Sequence, residues 1–121
     1  WYVNLHYGRF LAYNQFIQRH INKKAKMLSI ASGRCAGELY LLEQGYNIAC
    51  SDLKELKIHR EVKQLFPPLR FFPLDILRHS LQEKYDAVTA LSLIFTFDDN
   101  ELKLFFENVS KLRFRLRSAV S

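Results

Sequence analysis

The 121-residue chain contains two cysteines, Cys35 and Cys50, and neither stands in a metal-ligating spacing. A thiolate metal site therefore has no ligand set, and the pattern suits a reduced, cytoplasmic protein. The four histidines, His6, His20, His59 and His79, also lack ligand spacing and fall by default on solvated helix or loop positions. Long apolar runs are missing too. None approaches the length that spans a bilayer, and no signal-peptide pattern opens the chain, so no membrane partner is expected. The first residue is Trp1 rather than Met, as in a processed or trimmed product. No internal repeat or linker interrupts the chain. What is present is ordinary for a globular domain: 49% hydrophobic and 25% charged residues, which argues against disorder. The length is that of one domain.

The net charge is +6, from 18 basic and 12 acidic residues. Lys23, Lys24 and Lys26 form one basic cluster, and Lys111, Arg113, Arg115 and Arg117 another. A basic surface can attract nucleic acid, yet solubility accounts for many such surfaces, and no aromatic-basic motif of an RNA-binding module accompanies these.

Apolar periodicity orders the rest. Phe10, Tyr13, Phe16, Ile17 and Ile21 recur at helical spacing and predict an amphipathic helix over 9–22. Leu28 to Ala31 read as a short strand buried on both faces. Ala36 to Gln44 suit a helix stopped by Gly45. Asn47 to Ser51 form a second strand. Ile58, Val62, Leu65 and Phe66 predict a helix with one buried face, ended by Pro67-Pro68. Arg70 to Leu74 make a third strand, where Pro73 favours an edge or irregular pairing. Ile76 to Gln82 fit one or two helical turns. Tyr85 to Phe95 give a strongly apolar strand. Asp98 and Glu101 have capping-box spacing before a helix with Leu102, Phe105, Phe106, Val109 and Leu112 as its stripe. Phe114, Leu116 and Val120 either begin a fifth strand or extend that helix. Strand and helix alternate throughout, so the class is α/β with a mostly parallel sheet and flanking helices.

Residues 27–52 carry most of the functional information. A strand-to-helix turn that brings backbone close to a ligand needs small residues, and this one reads Ala31-Ser32-Gly33-Arg34-Cys35-Ala36-Gly37. Free N–H groups at the start of the following helix favour a negative ligand group. Asp52, about 20 residues after Gly33, ends the next strand where a carboxylate can accept hydrogen bonds from both ribose hydroxyls. Asp75, after the third strand, can approach an adenine edge or cap the turn that follows it. Cys35 reads as a small turn residue and Cys50 as core. Phe71, Phe72, Phe95 and Phe97 are assigned to the core, with Phe95 and Phe97 also placed to wall a substrate pocket.

This stretch resembles the Rossmann-like, class I methyltransferases that use S-adenosylmethionine. Their first-strand pattern is apolar-apolar-acid-apolar-Gly-x-Gly-x-Gly, and Leu28 to Cys35 fall on its last eight positions. Gly45-Tyr46, Asp52, Leu74-Asp75-Ile76 and the strand entry Tyr85-Asp86 match further positions, so the likeness runs from about Tyr7 to Lys111. Ser29 stands in place of the acid, and Ala31 and Cys35 in place of two glycines. The resemblance implies S-adenosyl-L-methionine as cofactor. Its methionine part would lie along Ala31, Ser32, Gly33 and Cys35, its ribose on Asp52, its adenine beside Leu53, Asp75 and Ile76, and its sulfonium near Ala90 and Ser92. It also implies methyl transfer to a small-molecule or macromolecular acceptor by in-line displacement, which requires no dedicated catalytic base. The Asn-Pro-Pro-Tyr type of tetrapeptide that serves amino-group methylation of bases in related enzymes is replaced by Ser92-Leu93-Ile94-Phe95. A complete domain of the family continues through three further strands, so residues 1–121 are expected to form a single, incomplete methyltransferase domain.

Two other readings fit parts of the same stretch. Ala31 to Ala36 also approximates the Gly-x-Gly-x-x-Gly/Ala turn of an NAD-binding dehydrogenase, though a helix precedes the first strand here. A non-catalytic cofactor-binding or interaction module is the other, and its uncovered sheet edge would favour self-association.

Overall fold

The computed structural model describes residues 7–33, 35–79, 81–90 and 97–112. They form, in chain order, α1 (Tyr7–His20), β1 (Lys26–Ile30), α2 (Ala36–Glu43), β2 (Asn47–Asp52), α3 (Lys57–Leu65), β3 (Arg70–Pro73), β4 (Ala87–Thr89) and α4 (Asp99–Leu112). The strands make one parallel sheet in the order β3-β2-β1-β4. Residues 27–30 and 48–51 are buried throughout, as expected of strands covered on both faces. The chain steps from β1 outward to β3 and then returns to place β4 on the other side of β1. That reversal creates a crevice at the carboxyl ends of the strands, where open α/β sheets bind ligands.

Ser29 pairs laterally with Cys50 on one side and Thr89 on the other, which puts these three side chains on one face of the sheet. On that face Tyr13 and Ile17 of α1, Leu41 of α2 and Phe71 of β3 pack around Met27, Ile48 and Cys50. Leu28, Ile30 and Ala49 point to the opposite face and meet Phe105 and Leu112 of α4. Gly45 stops α2 with φ of 96°, while the Gly45 and Tyr46 N–H groups donate to Leu42 and Leu41. The expected capping box at α4 is present: Glu101 N–H donates to Asp98 Oδ1 at 2.8 Å, and Asp98 N–H to Glu101 Oε1 at 3.0 Å.

The start of β4 is tied to β1 by polar groups. Asp86 N–H donates to the Lys26 carbonyl at 2.7 Å, and Lys26 N–H donates to Asp86 Oδ2 at 2.8 Å. Beside them, Glu83 accepts from Lys26 at 2.7 Å, from Arg70 at 3.3 Å and from the Tyr85 hydroxyl at 3.0 Å. Hydrogen bonding to Lys26, helped by Tyr85 and Arg70, holds the Glu83 carboxyl down at about 2.

The structure departs from the sequence pattern at several positions. Phe16 and Phe106 are exposed, although helical periodicity counts them in apolar stripes. Leu65 is 86% exposed, and the buried side chain of α3 is His59, where the sequence pattern predicts a solvated position. His59 forms a face with Val62 and Phe66, so the packed stripe is rotated about the helix axis. Ala31 leaves the first strand, and residues 76–78 form a turn. β4 covers Ala87–Thr89; Ser92, Phe95 and the segment from Phe114 lie outside the described residues. Among the described residues no helix is long and apolar enough to cross a membrane.

Candidate functional site

The turn after β1 has alternate residues in the left-handed region: Ala31 at φ 57°, Gly33 at 58° and Cys35 at 62°. These are the three glycine positions of the pattern that Leu28 to Cys35 resembles. Left-handed backbone costs a residue with a Cβ about 1–2 kcal/mol, so Ala31 and Cys35 occupy their places under strain. A Cβ built on Gly33 would meet no atom within 4 Å. Glycine is therefore favoured there by backbone conformation and not by lack of space, and the space above it is open to a ligand. α2 begins at this turn with no side-chain cap hydrogen bond from Cys35.

Hydrogen bonds hold the turn to β2. Ser32 N–H and Ser32 Oγ both donate to the Ser51 carbonyl, at 2.9 and 3.0 Å, and Ser51 N–H donates back to Ser32 Oγ at 3.2 Å. Gly33 N–H donates to Asp52 Oδ2 at 3.1 Å, while Leu53 N–H donates to Asp52 Oδ1 at 2.8 Å. Each carboxylate oxygen has a further lone pair for a ligand.

A cleft of about 220 Å³ opens at the carboxyl ends of β1, β2 and β3, lined by Ile30, Ala31, Asp52, Leu53, Leu74, Asp75, Ile76, Leu77 and Phe97. Sites that enclose a whole drug-sized ligand run from roughly 300 Å³ upward, so this volume suits one part of a nucleoside-sized ligand. Six of the residues singled out from sequence meet here: Ala31, Asp52, Leu53, Asp75, Ile76 and Phe97. Ser32 and Gly33 frame the adjacent turn. Leu53 is 62% exposed beside Asp52, an apolar surface next to a polar anchor. Asp75 Oδ1 accepts from Leu77 N–H at 3.1 Å and Oδ2 lies 3.7 Å from Arg78 Nε, so Asp75 also caps the turn that follows it. Cys35 is not a cleft residue; its thiol is buried in the core under the turn. Ala90 packs with the α4-side core rather than lining the cleft. Ser92 lies outside the described residues.

Sequence reasoning missed two residues beneath this turn. Glu38 of α2 is only 6% exposed, and its Oε2 accepts from Ser29 Oγ at 2.7 Å. A carboxylate thus lies against the strand position where the resembled family carries an acid, supplied from the helix. Burial pushes the Glu38 carboxyl above its ordinary value, and its hydrogen bond with Ser29 offsets this only in part. Tyr13 is buried on the same face, and desolvation followed by the Glu38 charge pushes its phenol upward. The other missed residue is His59. Its ring stacks on Phe71 at 3.8 Å, with Leu56 N–H donating to Nδ1 at 2.9 Å and Nε2 lying 2.6 Å from the Gly33 carbonyl oxygen. The one signal for Glu38 was an acid in the first turn of a helix beginning at the candidate site. His59 had none.

Comparison with solved structures identifies the architecture. A protein from Pyrococcus horikoshii OT3 superposes with TM-score 0.81 at 21% identity, over 92% of this chain and 54% of that one. Magnesium protoporphyrin IX methyltransferase (ChlM) from Synechocystis PCC 6803, solved with SAM bound, gives 0.76 at 17% identity, over 91% and 55%. A TehB-like SAM-dependent methyltransferase from Corynebacterium glutamicum gives 0.70 at 18%, over 90% and 64%. The fold is that of the Rossmann-like methyltransferases. The chain spans 54% to 64% of the length of these three chains. No protein-family model matches the sequence, and no curated protein shows similarity to it.

Proposed function

We propose that the chain is the cofactor-binding part of an S-adenosylmethionine-dependent methyltransferase. The observation that carries this reading is the turn of three left-handed residues, open above Gly33, beside a cleft with Asp52 at its rim. The methionine end of the cofactor would run along Ala31 to Gly33, with its carboxylate toward the first N–H groups of α2. Asp52 would accept the ribose hydroxyls on the lone pairs left by Gly33 and Leu53. The apolar walls Leu53, Ile76 and Leu77 would take the flat adenine ring, with Asp75 near its amino edge. Ala90, just past the end of β4, would stand on the sulfonium side. When bound, the cofactor supplies an electrophilic methyl group to an acceptor nucleophile. The chain contributes by orienting it and desolvating one face, and position alone can supply much of the acceleration of an in-line displacement.

Calorimetric titration tests the reading. S-adenosylmethionine and S-adenosylhomocysteine are expected to bind and NAD is not. Asp52→Ala is expected to weaken binding by about tenfold or more, the worth of hydrogen bonds to a charged group. Tight binding of NAD with no binding of either sulfur compound would replace this reading with the dehydrogenase one.

A further inference from the structure

We propose that His59 is a positioning residue for the cofactor turn, fixing the Gly33 peptide from α3; the proposal rests on the reading of that turn as the cofactor cradle. Gly33 has no side chain, and its left-handed backbone faces open space, so packing does little to set its orientation. Two hydrogen bonds do so instead. On one side Gly33 N–H is held by Asp52 at 3.1 Å, and on the other Gly33 C=O is met by His59 Nε2 at 2.6 Å. The Cys35 thiol approaches the same carbonyl at 3.7 Å, a weak donor by comparison.

The imidazole is suited to this because both nitrogens are committed. Nδ1 accepts from Leu56 N–H at 2.9 Å, which places the ring proton on Nε2 and directs it at the Gly33 carbonyl. The ring is 3% exposed and stacks on Phe71 of β3 with planes 15° apart, so it cannot swing away without disturbing the core. One side chain thereby caps α3, packs on the sheet and holds a backbone carbonyl in the turn. A buried neutral imidazole needs both its donor and its acceptor satisfied, and here the donor's partner is the carbonyl of the turn.

Two conservative variants separate the roles. The amide of His59→Asn can reach the Nδ1 position and keep the bond to Leu56, but falls short of Gly33. The amide of His59→Gln can reach the Nε2 position and keep the bond to Gly33, while giving up Leu56. Amide hydrogen exchange by NMR at Gly33 and Cys35 is expected to quicken about tenfold in His59→Asn and to stay within about threefold of wild type in His59→Gln, the scale of one hydrogen bond. S-adenosylhomocysteine affinity should follow the same order. Equal acceleration at the turn in both variants, or none in His59→Asn, would overturn the proposal. In the wild-type protein, ¹⁵N NMR of the ring should show Nε2 protonated and Nδ1 bare, and the opposite tautomer would overturn it without any variant. Failure of wild-type protein to bind S-adenosylhomocysteine would instead count against the methyltransferase reading, since the exchange and tautomer results decide the role of His59 without cofactor.

Discussion

Replacing Glu38 by glutamine should raise stability at neutral pH, although the substitution removes a charge from the first turn of a helix. Glu38 is buried against Ser29 with Tyr13 on the same face, and its carboxyl is raised by desolvation. An acid raised in the folded state binds its proton more tightly there than in the unfolded chain. Stability is then fully present below the unfolded value, near 4.3 for glutamate, and is lost as pH rises through the folded value. Within that window one such group changes stability by up to about 1.4 kcal/mol per pH unit. Glutamine does not titrate, has nearly the same volume and can still accept from Ser29 Oγ. Urea unfolding followed by circular dichroism at pH 4, 5, 6, 7 and 8 should show the two proteins within about 1 kcal/mol at pH 4, where the neutral acid and the amide make comparable hydrogen bonds. The glutamine variant should gain steadily above that pH. Glu38→Ala should lose about 2–4 kcal/mol at pH 4, from a buried Ser29 hydroxyl left unpaired and the loss of one methylene and the carboxyl group. Parallel stability profiles for wild type and Glu38→Gln would refute the claim that burial dominates the Glu38 carboxyl.

Three further outcomes are expected. Gly33→Ala should cost about 1–2 kcal/mol from left-handed strain alone, since its Cβ meets no protein atom, and should also weaken S-adenosylhomocysteine binding; unchanged affinity in calorimetry would mean the space above Gly33 is not used. Gly37→Ala would set a Cβ 2.8 Å from Tyr13 Cδ2 and 3.1 Å from Cε2. Overpacking of about 1–3 kcal/mol should exceed the helix-propensity gain of about 1 kcal/mol, so a variant more stable in urea would contradict the packing described. Glu83→Gln should cost about 0.2–1 kcal/mol at pH 7, because the pair is partly solvated. With its folded value held at about 2, that contribution should be lost as pH falls from the unfolded value toward 2, and should shrink in high salt. A difference undiminished between pH 7 and pH 2 would disprove it.

The strand-turn-helix-strand order of residues 27–52, Asp52 at the strand end and the Asp98–Glu101 cap were legible because each depends on local pattern: apolar runs, a small-residue turn and a fixed capping spacing. Leu65 and Phe106 were misread because periodicity locates an apolar stripe but not how far the neighbouring layer covers it. His59 and Glu38 were hidden for a deeper reason. A polar side chain is buried only where distant groups satisfy it, and His59 depends on the Gly33 carbonyl, 26 positions away. Glu38 depends on the Ser29 hydroxyl, 9 positions away across the turn. Such partners are set by the tertiary fold, and composition and spacing do not reveal them. Ala31 and Cys35 could be aligned with glycine positions, yet their left-handed backbone could be seen only in the structure.

The central claim is that the turn and the cleft together cradle an adenosyl cofactor. It is tested most directly by adding S-adenosylhomocysteine to isotopically labelled protein and following backbone amide signals by NMR. Saturable shifts are expected at Ser32, Gly33, Leu53, Ile76 and Leu77, with little change at the opposite end of the sheet around Lys26 and Glu83. Saturable shifts confined to that opposite end, or no shift at millimolar ligand in folded protein, would contradict the account.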